Sequence, residues 1–175
     1  MDWNRWRFKE SWDNYWSRPY VHYRKHHELF WRIIRERASG KILDMGCGPA
    51  CIWEGSDKNV TGIDYSIKGI EQAKRNVPNG TFFVCDINRV PLFETFDTIV
   101  LCGVINYFPD LSDIRGEVKR LSNKNTGVLI TINDLQGLNE RRWDLEEIKR
   151  EFEQWGTLKE STFYDKIGWL IEVVA

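Results

Sequence analysis

The chain is poor in the residues that stapled or metal-built scaffolds depend on, with only four cysteines and three histidines in 175 residues. The cysteines, Cys47, Cys51, Cys85 and Cys102, include no Cys-x-x-Cys pair, which argues against a disulfide framework or zinc ribbon and for a reducing, cytoplasmic setting. No apolar run approaches the ~20 residues needed to span a bilayer, so a soluble protein with no membrane partner is expected. Nor does a basic start followed by an apolar stretch mark a signal peptide. Internal repeats, low-complexity tracts and linkers are also missing. These absences predict one domain over residues 1–175 with a core of its own.

Aromatics and an uneven charge are what the chain has instead. Residues 1–41 carry ten Lys/Arg against five Asp/Glu, or +5, and the remainder carries fifteen against twenty-one, or −6. The two parts should attract. Five of the nine tryptophans, Trp3, Trp6, Trp12, Trp16 and Trp31, lie in that leading segment. Aromatics interleaved with arginine stack bases and hold phosphates, so nucleic acid is one possible partner. Against it, Phe8, Trp12, Tyr15 and Trp16 fall at helical spacing, as do His26, Phe30 and Ile33, the pattern of helices packed on a body. Residues 1–38 are therefore read as a helical cap, with Pro19 as a break between two helices, on a core of residues 39–175.

The densest information lies in Ile42-Leu43-Asp44-Met45-Gly46-Cys47-Gly48-Pro49-Ala50, followed at Val60 by Val-Thr-Gly-Ile-Asp ending on Asp64. A short apolar run, then glycines two apart, describes a buried strand whose backbone turns tightly and leaves room for a ligand. An acid at the end of the next strand suits two ribose hydroxyls. A dinucleotide site wants a third glycine where Cys51 stands, and Asp44 would set a negative charge beside the pyrophosphate. S-Adenosylmethionine carries no phosphate, and its sulfonium and ammonium groups are cationic, so the sign of Asp44 favours it.

The pattern resembles the class I S-adenosylmethionine-dependent methyltransferases over roughly residues 40–175. Asp44-Met45-Gly46-Cys47-Gly48 is similar to that family's first motif, Asp64 to its ribose acid, Cys85-Asp86-Ile87 to its adenine-side motif, and Phe96 to Tyr107 to its segment through strand four. The resemblance implies an α/β fold: a Rossmann-like three-layer sandwich around a mostly parallel seven-stranded sheet with an antiparallel last strand. It also implies a cofactor site at Asp44, Gly46, Cys47, Gly48, Asp64, Tyr65, Asp86, Ile87, Cys102 and Gly103, with Asp86 accepting from the adenine amine. S-Adenosylhomocysteine would be the product, and no metal is expected. Tyr15 and Tyr20 are expected near the donor's methionine end, under a lid formed by residues 1–38 over the acceptor side.

Strands are expected at 41–44, 60–64, 81–85, 97–101 and 127–132, with a closing hairpin over Leu158 to Tyr164 and Trp169 to Val174. Ser66 is placed to cap a helix reading Ile67, Ile70 and Ala73, and Leu111, Ile114, Val118 and Leu121 stripe another. Asp144 with Glu147 makes a capping-box start for a helix with Leu145, Ile148, Phe152 and Trp155 on one face. Only eleven residues, Pro49 to Asn59, separate Gly48 from Val60. The first crossover helix must be short, one to two turns, with Trp53 or the leader covering the sheet and its N-terminal amides at the cofactor.

Direct displacement at a sulfonium methyl needs alignment above all, and a base only for protonated acceptors. Asn106 and Tyr107 stand where similar small-molecule enzymes often carry a histidine pair. The base candidates are Tyr107, Asp134 and Tyr20, and His22 with His26 reads as a packed or solvated pair. Cys47, Cys85 and Cys102 should approach one another at the crevice rim, as packing residues rather than a metal or redox site. No Asn/Asp-Pro-Pro-Tyr/Phe signature, Pro-Cys nucleophile or post-strand-four glutamate pair occurs, leaving a small molecule as the leading methyl acceptor. A catalytically silent binding partner, a nucleic-acid methyltransferase and an aminopropyl transferase remain alternatives.

Overall fold

The structure, a computed structural model, describes residues 12–17, 21–108, 110–133, 144–164 and 168–175. Residues 12–16 are helical and α1 spans Val21–Arg37. There follow β1 Lys41–Met45, β2 Asn59–Asp64, α2 Ile67–Asn76, β3 Thr81–Val84, β4 Phe96–Cys102, α3 Ser112–Leu121, β5 Ser122–Asn133, α4 Leu145–Phe152, β6 Thr157–Tyr164 and β7 Gly168–Val174. The seven strands form one sheet in the order β3-β2-β1-β4-β5-β7-β6. β1 to β5 pair in parallel, and β7 runs antiparallel to both neighbours. This is the mostly parallel sheet with an antiparallel last strand that the motifs imply.

Each face of the sheet builds its own core. Leu43, Met45, Ile63, Ile99, Leu101, Ile130 and Val173 meet Ile114 and Val118 of α3 and Ile148 and Phe152 of α4 on one side. On the other, Ile42, Val60, Val100 and Leu129 meet Ile70 and Ala73 of α2 and Trp31, Ile34 and Ala38 around α1. Because alternate residues of a strand face opposite ways, Leu43 and Met45 take the first face, and Ile42 and Asp44 the second. None of the described helices is long and apolar enough to cross a membrane.

The caps form as their sequences dictate. Ser66 Oγ accepts from Gly69 N–H at 2.9 Å, and Asp144 and Glu147 close a full capping box on α4. Two expected stripe members are not buried: Ile67 is 43% and Leu145 38% exposed. Each is the first residue of its helix. On α1 the buried face runs through Phe30, Trp31, Ile34 and Ala38, turned from the expected line through Ile33, which is half-buried. His22 and His26 side chains, Phe8 and Pro19 lie outside what is described.

The first crossover departs furthest from expectation. In place of a one-to-two-turn helix there is a single 3-10 turn, Cys51–Trp53, entered through Ala50 in the left-handed region at φ 56°. Within it Trp53 N–H donates to Ala50 O, and Glu54 N–H to Cys51 O. The sheet it fails to cover is closed by Trp53, fully buried, and by Trp31 and Ile34 of α1. The leader is thus more than a cap, since part of it replaces the crossover helix in the core.

Arg37 ends α1 by donating to Glu160 at 2.5 Å and Glu172 at 3.0 Å. Those two glutamates are register partners on β6 and β7, where like charges repel without a shared cation. The guanidinium holds Glu160 below the usual carboxylate range. Phe30 also sets its ring edge-on to Tyr164, centroids 5.6 Å apart.

Candidate functional site

β1 turns toward β2 on one side and pairs β4 on the other, so the sheet order reverses beyond the carboxyl ends of β1 and β4, where open α/β sheets hold ligands. The glycine turn lies there. Gly46 and Gly48 adopt φ 80° and 50°, conformations that side chains resist. Gly46 N–H and Cys47 N–H both donate to Ile63 O, at 2.7 and 3.0 Å. A Cβ on Gly46 would come 2.5 Å from Val104 Cγ2, so a neighbour from after β4, and not only ligand space, demands glycine. Gly46→Ala is expected to cost about 2 kcal/mol. A thermal melt should record this as a Tm lower by roughly 4–8 °C.

Asp44 and Asp64 stand at the centre of the turn. Asp44 is 1% exposed. Its Oδ2 accepts from the Trp53 indole N–H at 2.7 Å, while its Oδ1 is buried with no hydrogen-bond partner. Burial pushes its pKa up to about 7, against the Trp53 hydrogen bond, with a smaller push from Asp64. Asp64 accepts from Gly48 N–H through Oδ2 and from Ser66 N–H through Oδ1, both at 2.7 Å. Burial raises it to about 6, opposed by those amides and by the Tyr65 backbone. Each Asp64 oxygen keeps a second acceptor direction. Tyr65 itself is half-buried.

Asp86 accepts from the backbone and side-chain amides of Asn88 at 2.9 and 2.8 Å, closing a local turn. Ile87 is 5% exposed in the core under the sheet, so its side chain belongs to packing. Thr131 Oγ1 donates to Cys102 Sγ at 3.3 Å and accepts from Gly103 N–H at 3.0 Å. All four cysteines are free thiols. Burial pushes Cys47 well up, Cys85 up to about 11 and Cys102 up to about 12, so they remain neutral packing groups. Among the described residues no cluster of three His, Cys, Asp or Glu side chains could hold a metal.

The leader reaches this site through residues that sequence reasoning did not single out. Trp16, 6% exposed, lies so close to the glycine turn that a Cβ on Gly48 would meet its Cζ2 at 2.8 Å. Asp13 Oδ1 accepts from Ser66 Oγ at 2.5 Å and from Lys68 N–H at 3.1 Å, adding a cap to α2 from outside the helix. Gln72 donates to the Trp16 carbonyl. Trp12 sets its ring edge-on to Tyr107, centroids 5.0 Å apart, so the segment spans from the glycine turn to the loop after β4. Tyr15 packs edge-on against Trp12 and Trp16 yet stays 41% exposed, and its hydroxyl pKa is raised by burial. Tyr20 and Asp134 lie outside the described residues. Trp16, rather than Tyr15, is the leader aromatic seated on the turn.

Beside it lies a small open hollow lined among others by Trp16, Trp31, Asp44, Gly46, Cys47 and Cys102. A carboxylate oxygen without a donor, at a glycine turn with aromatic walls, is a place for a cationic or hydrogen-donating ligand.

Residues 36–172 match a family model described as a methyltransferase domain. Among curated proteins, malonyl-[acyl-carrier protein] O-methyltransferase of Bacillus cereus is 32% identical over 93 residues, 47% of this chain and 35% of that one. The Enterobacter lignolyticus protein of the same name is 28% identical over 60% of this chain and 46% of its own. The chain thus spans less than half the length of these curated relatives. In fold it is similar to a chain of the complex between the Haloferax volcanii Trm112 methyltransferase activator and a methyltransferase, with TM-score 0.79 at 14% identity over 95% of this chain and 96% of that one. A TehB-like SAM-dependent methyltransferase from Corynebacterium glutamicum gives 0.69 at 21% identity, covering 89% and 95%.

Proposed function

Since the chain belongs to the methyltransferase-domain family, we propose that it binds S-adenosylmethionine at the β1–β4 crevice and transfers its methyl group to a small molecule. The observation that carries this reading is the Asp44 Oδ1, buried without a donor in the hollow beside the glycine turn. It asks for a donor or cation, and would repel a phosphate. The donor set fits: Asp44 faces the cationic end, Asp64 has acceptor directions left for ribose hydroxyls, and Gly46 and Gly48 let backbone approach without side chains. Asp86 is our candidate for the adenine amine, reached by a turn away from Asn88.

When bound, the cofactor supplies an electrophilic methyl carbon on a sulfonium. The chain's own part is to hold that end, exclude water and align the acceptor, which is worth several kcal/mol without a covalent intermediate. Trp16 and Trp12 close over the crevice, and Tyr107 stands on its acceptor side as the candidate hydroxyl for a proton. The similarity to malonyl-carrier methyltransferases makes a carboxylate oxygen one acceptor to assay. With four free thiols, we assign the protein to a reducing, cytoplasmic setting.

Calorimetry tests the reading. S-Adenosylmethionine and S-adenosylhomocysteine are expected to bind with dissociation constants of about a millimolar or below, and NAD not at all. Absence of heat with both adenosyl compounds would overturn it. Transfer of labelled methyl to small-molecule pools, measured beside RNA and protein pools, then separates an enzyme from a silent binder.

A further inference from the structure

Resting on the donor reading above, we propose that Glu117 and Arg120 of α3 are positioning residues for base recognition. They clasp the connection between β3 and β4 by its main chain, and so set where Asp86 meets the adenine.

That connection, residues 85–95, contains neither helix nor strand, whereas crossovers in parallel sheets are usually helical and fix their own path by internal hydrogen bonds. It is held from outside instead. Cys85 N–H donates to Asp64 O, and Arg89 N–H closes a turn onto Asp86 O, both at 3.0 Å. Beyond the turn α3 takes over. Val90 N–H donates to Glu117 Oε2 at 3.0 Å, while Arg120 donates from Nη2 to Val90 O at 2.8 Å and from Nη1 to Leu92 O at 2.5 Å. Glu117 and Arg120 are themselves paired at 2.5 Å. One ion pair thus grips both main-chain groups of Val90 and the carbonyl of Leu92. Its base is rigid, because Ile114, Val118 and Leu121 of α3 are fully buried in the core under the sheet.

Magnitudes separate positioning from mere stabilisation. The Arg120 side chain is 39% and the Glu117 side chain 17% exposed, and ion pairs open to water contribute little to stability. Direction is another matter, since a planar guanidinium that donates to two carbonyls admits one orientation of the segment between them. Asp86 precedes Val90 by four residues, and its Oδ1 accepts from Asn88. A hydrogen bond from an adenine amine holds only over about 2.7–3.2 Å, so a small slip of the connection would cost it. The ribose and methionine ends of the donor would be untouched by such a slip.

Calorimetry on the full chain with S-adenosylhomocysteine and its inosyl counterpart, which presents a carbonyl in place of the amine, tests the clasp. The parent is expected to prefer the adenosyl compound at least tenfold. Arg120→Ala should lower that preference at least fivefold, through weaker adenosyl binding, with a Tm within about 4 °C of the parent. Arg120→Lys keeps a charge beside Glu117 but cannot bridge two carbonyls. It should lower the preference at least twofold, and it carries the test if Arg120→Ala does not fold. In an Asp86→Ala background, Arg120→Ala should leave the preference unchanged, as expected of residues that act as one unit; general loosening would weaken both compounds alike. A preference that survives in a folded Arg120 variant would overturn the clasp and leave the donor reading intact. Equal binding of the two compounds by the parent would overturn the clasp together with the role of Asp86, and binding of neither would overturn the donor reading itself.

Discussion

A variant lacking residues 1–38 is expected to lose its cooperative thermal transition, and not merely its activity. Phe30 and Ile34 are fully buried and Trp31 is 5% exposed, and side chains of this size contribute about 1.5–3 kcal/mol each on burial. Their sum, roughly 5–9 kcal/mol, is comparable with the whole stability of a typical domain at about 5–15 kcal/mol. The deletion also uncovers Trp53, Ile42 and Val60, since no crossover helix stands in for α1. Removing only residues 1–17 spares α1. That variant should keep a single melting transition while losing Trp16 and Asp13, and with them the closed face of the site. Circular dichroism melts of the two deletions decide the matter: a folded 39–175 fragment would show that the leader is an accessory lid after all.

Replacing Asp44 by asparagine is expected to push stability and binding in opposite directions. The folded pKa of Asp44 is raised from 3.8 to about 7, chiefly by burial. Its contribution is therefore fully present below the unfolded pKa and is lost as pH rises through about 7. Asp64, raised to about 6, adds a slope of the same sign, so the ligand-free protein should weaken from about pH 4 to pH 7. Around Asp44 the Trp53 indole N–H favours the anion, Asp64 opposes it, and the Cys47 and Cys102 thiols stay neutral. In Asp44→Asn the amide oxygen would still accept from Trp53, but the side chain cannot ionise. At pH 8 the variant should be more stable than the parent by about 2 kcal/mol, the balance of about 4 kcal/mol from the avoided charge and roughly 1–3 kcal/mol lost to an amide NH2 buried where Oδ1 has no partner, with a flatter profile, and should bind S-adenosylmethionine at least tenfold more weakly. Denaturant titrations at pH 5 and 8 beside calorimetry read both effects. A variant less stable than the parent at pH 8 would mean that Asp44 is not held against its charge.

Most of the sheet was legible because its strands are apolar runs bounded by strong punctuation. Gly40 and Gly46 bracket β1, and β1 to β4 came within a residue or two of their observed bounds, whereas β5 begins at Ser122, five residues before its expected start. Local caps were equally legible, since Ser66 with Gly69 and Asp144 with Glu147 act over three residues. What could not be read is non-local. Nothing in the sequence says that Asp13 caps a helix more than fifty residues away, or that Trp16 lies on Gly48. The eleven-residue gap after Gly48 did forecast a shortened crossover. It also forecast cover by Trp53 or the leader, and what it could not reveal is which leader residues do this, Trp31 and Ile34, because that depends on three-dimensional adjacency to Trp53. The acids were placed at the turn correctly, but their prior engagement with the Trp53 indole and the Gly48 and Ser66 amides is a property of the folded backbone. Ile87 reads in sequence as a ligand neighbour, although an apolar residue following a strand belongs as readily to the core.

The ties between α1 and the β6–β7 hairpin bear on how the chain is born. Arg37 leaves the ribosome well over a hundred residues before Glu160 and Glu172, and Phe30 likewise before Tyr164. At synthesis rates of roughly 5–20 residues per second, the first helix waits several seconds or more for the surfaces that complete its burial. During that interval its apolar stripe is open to other chains. Folding of this domain is consequently a late, closing event that joins early and late segments, and nascent chains halted before the hairpin are the species on which chaperones would be expected to act.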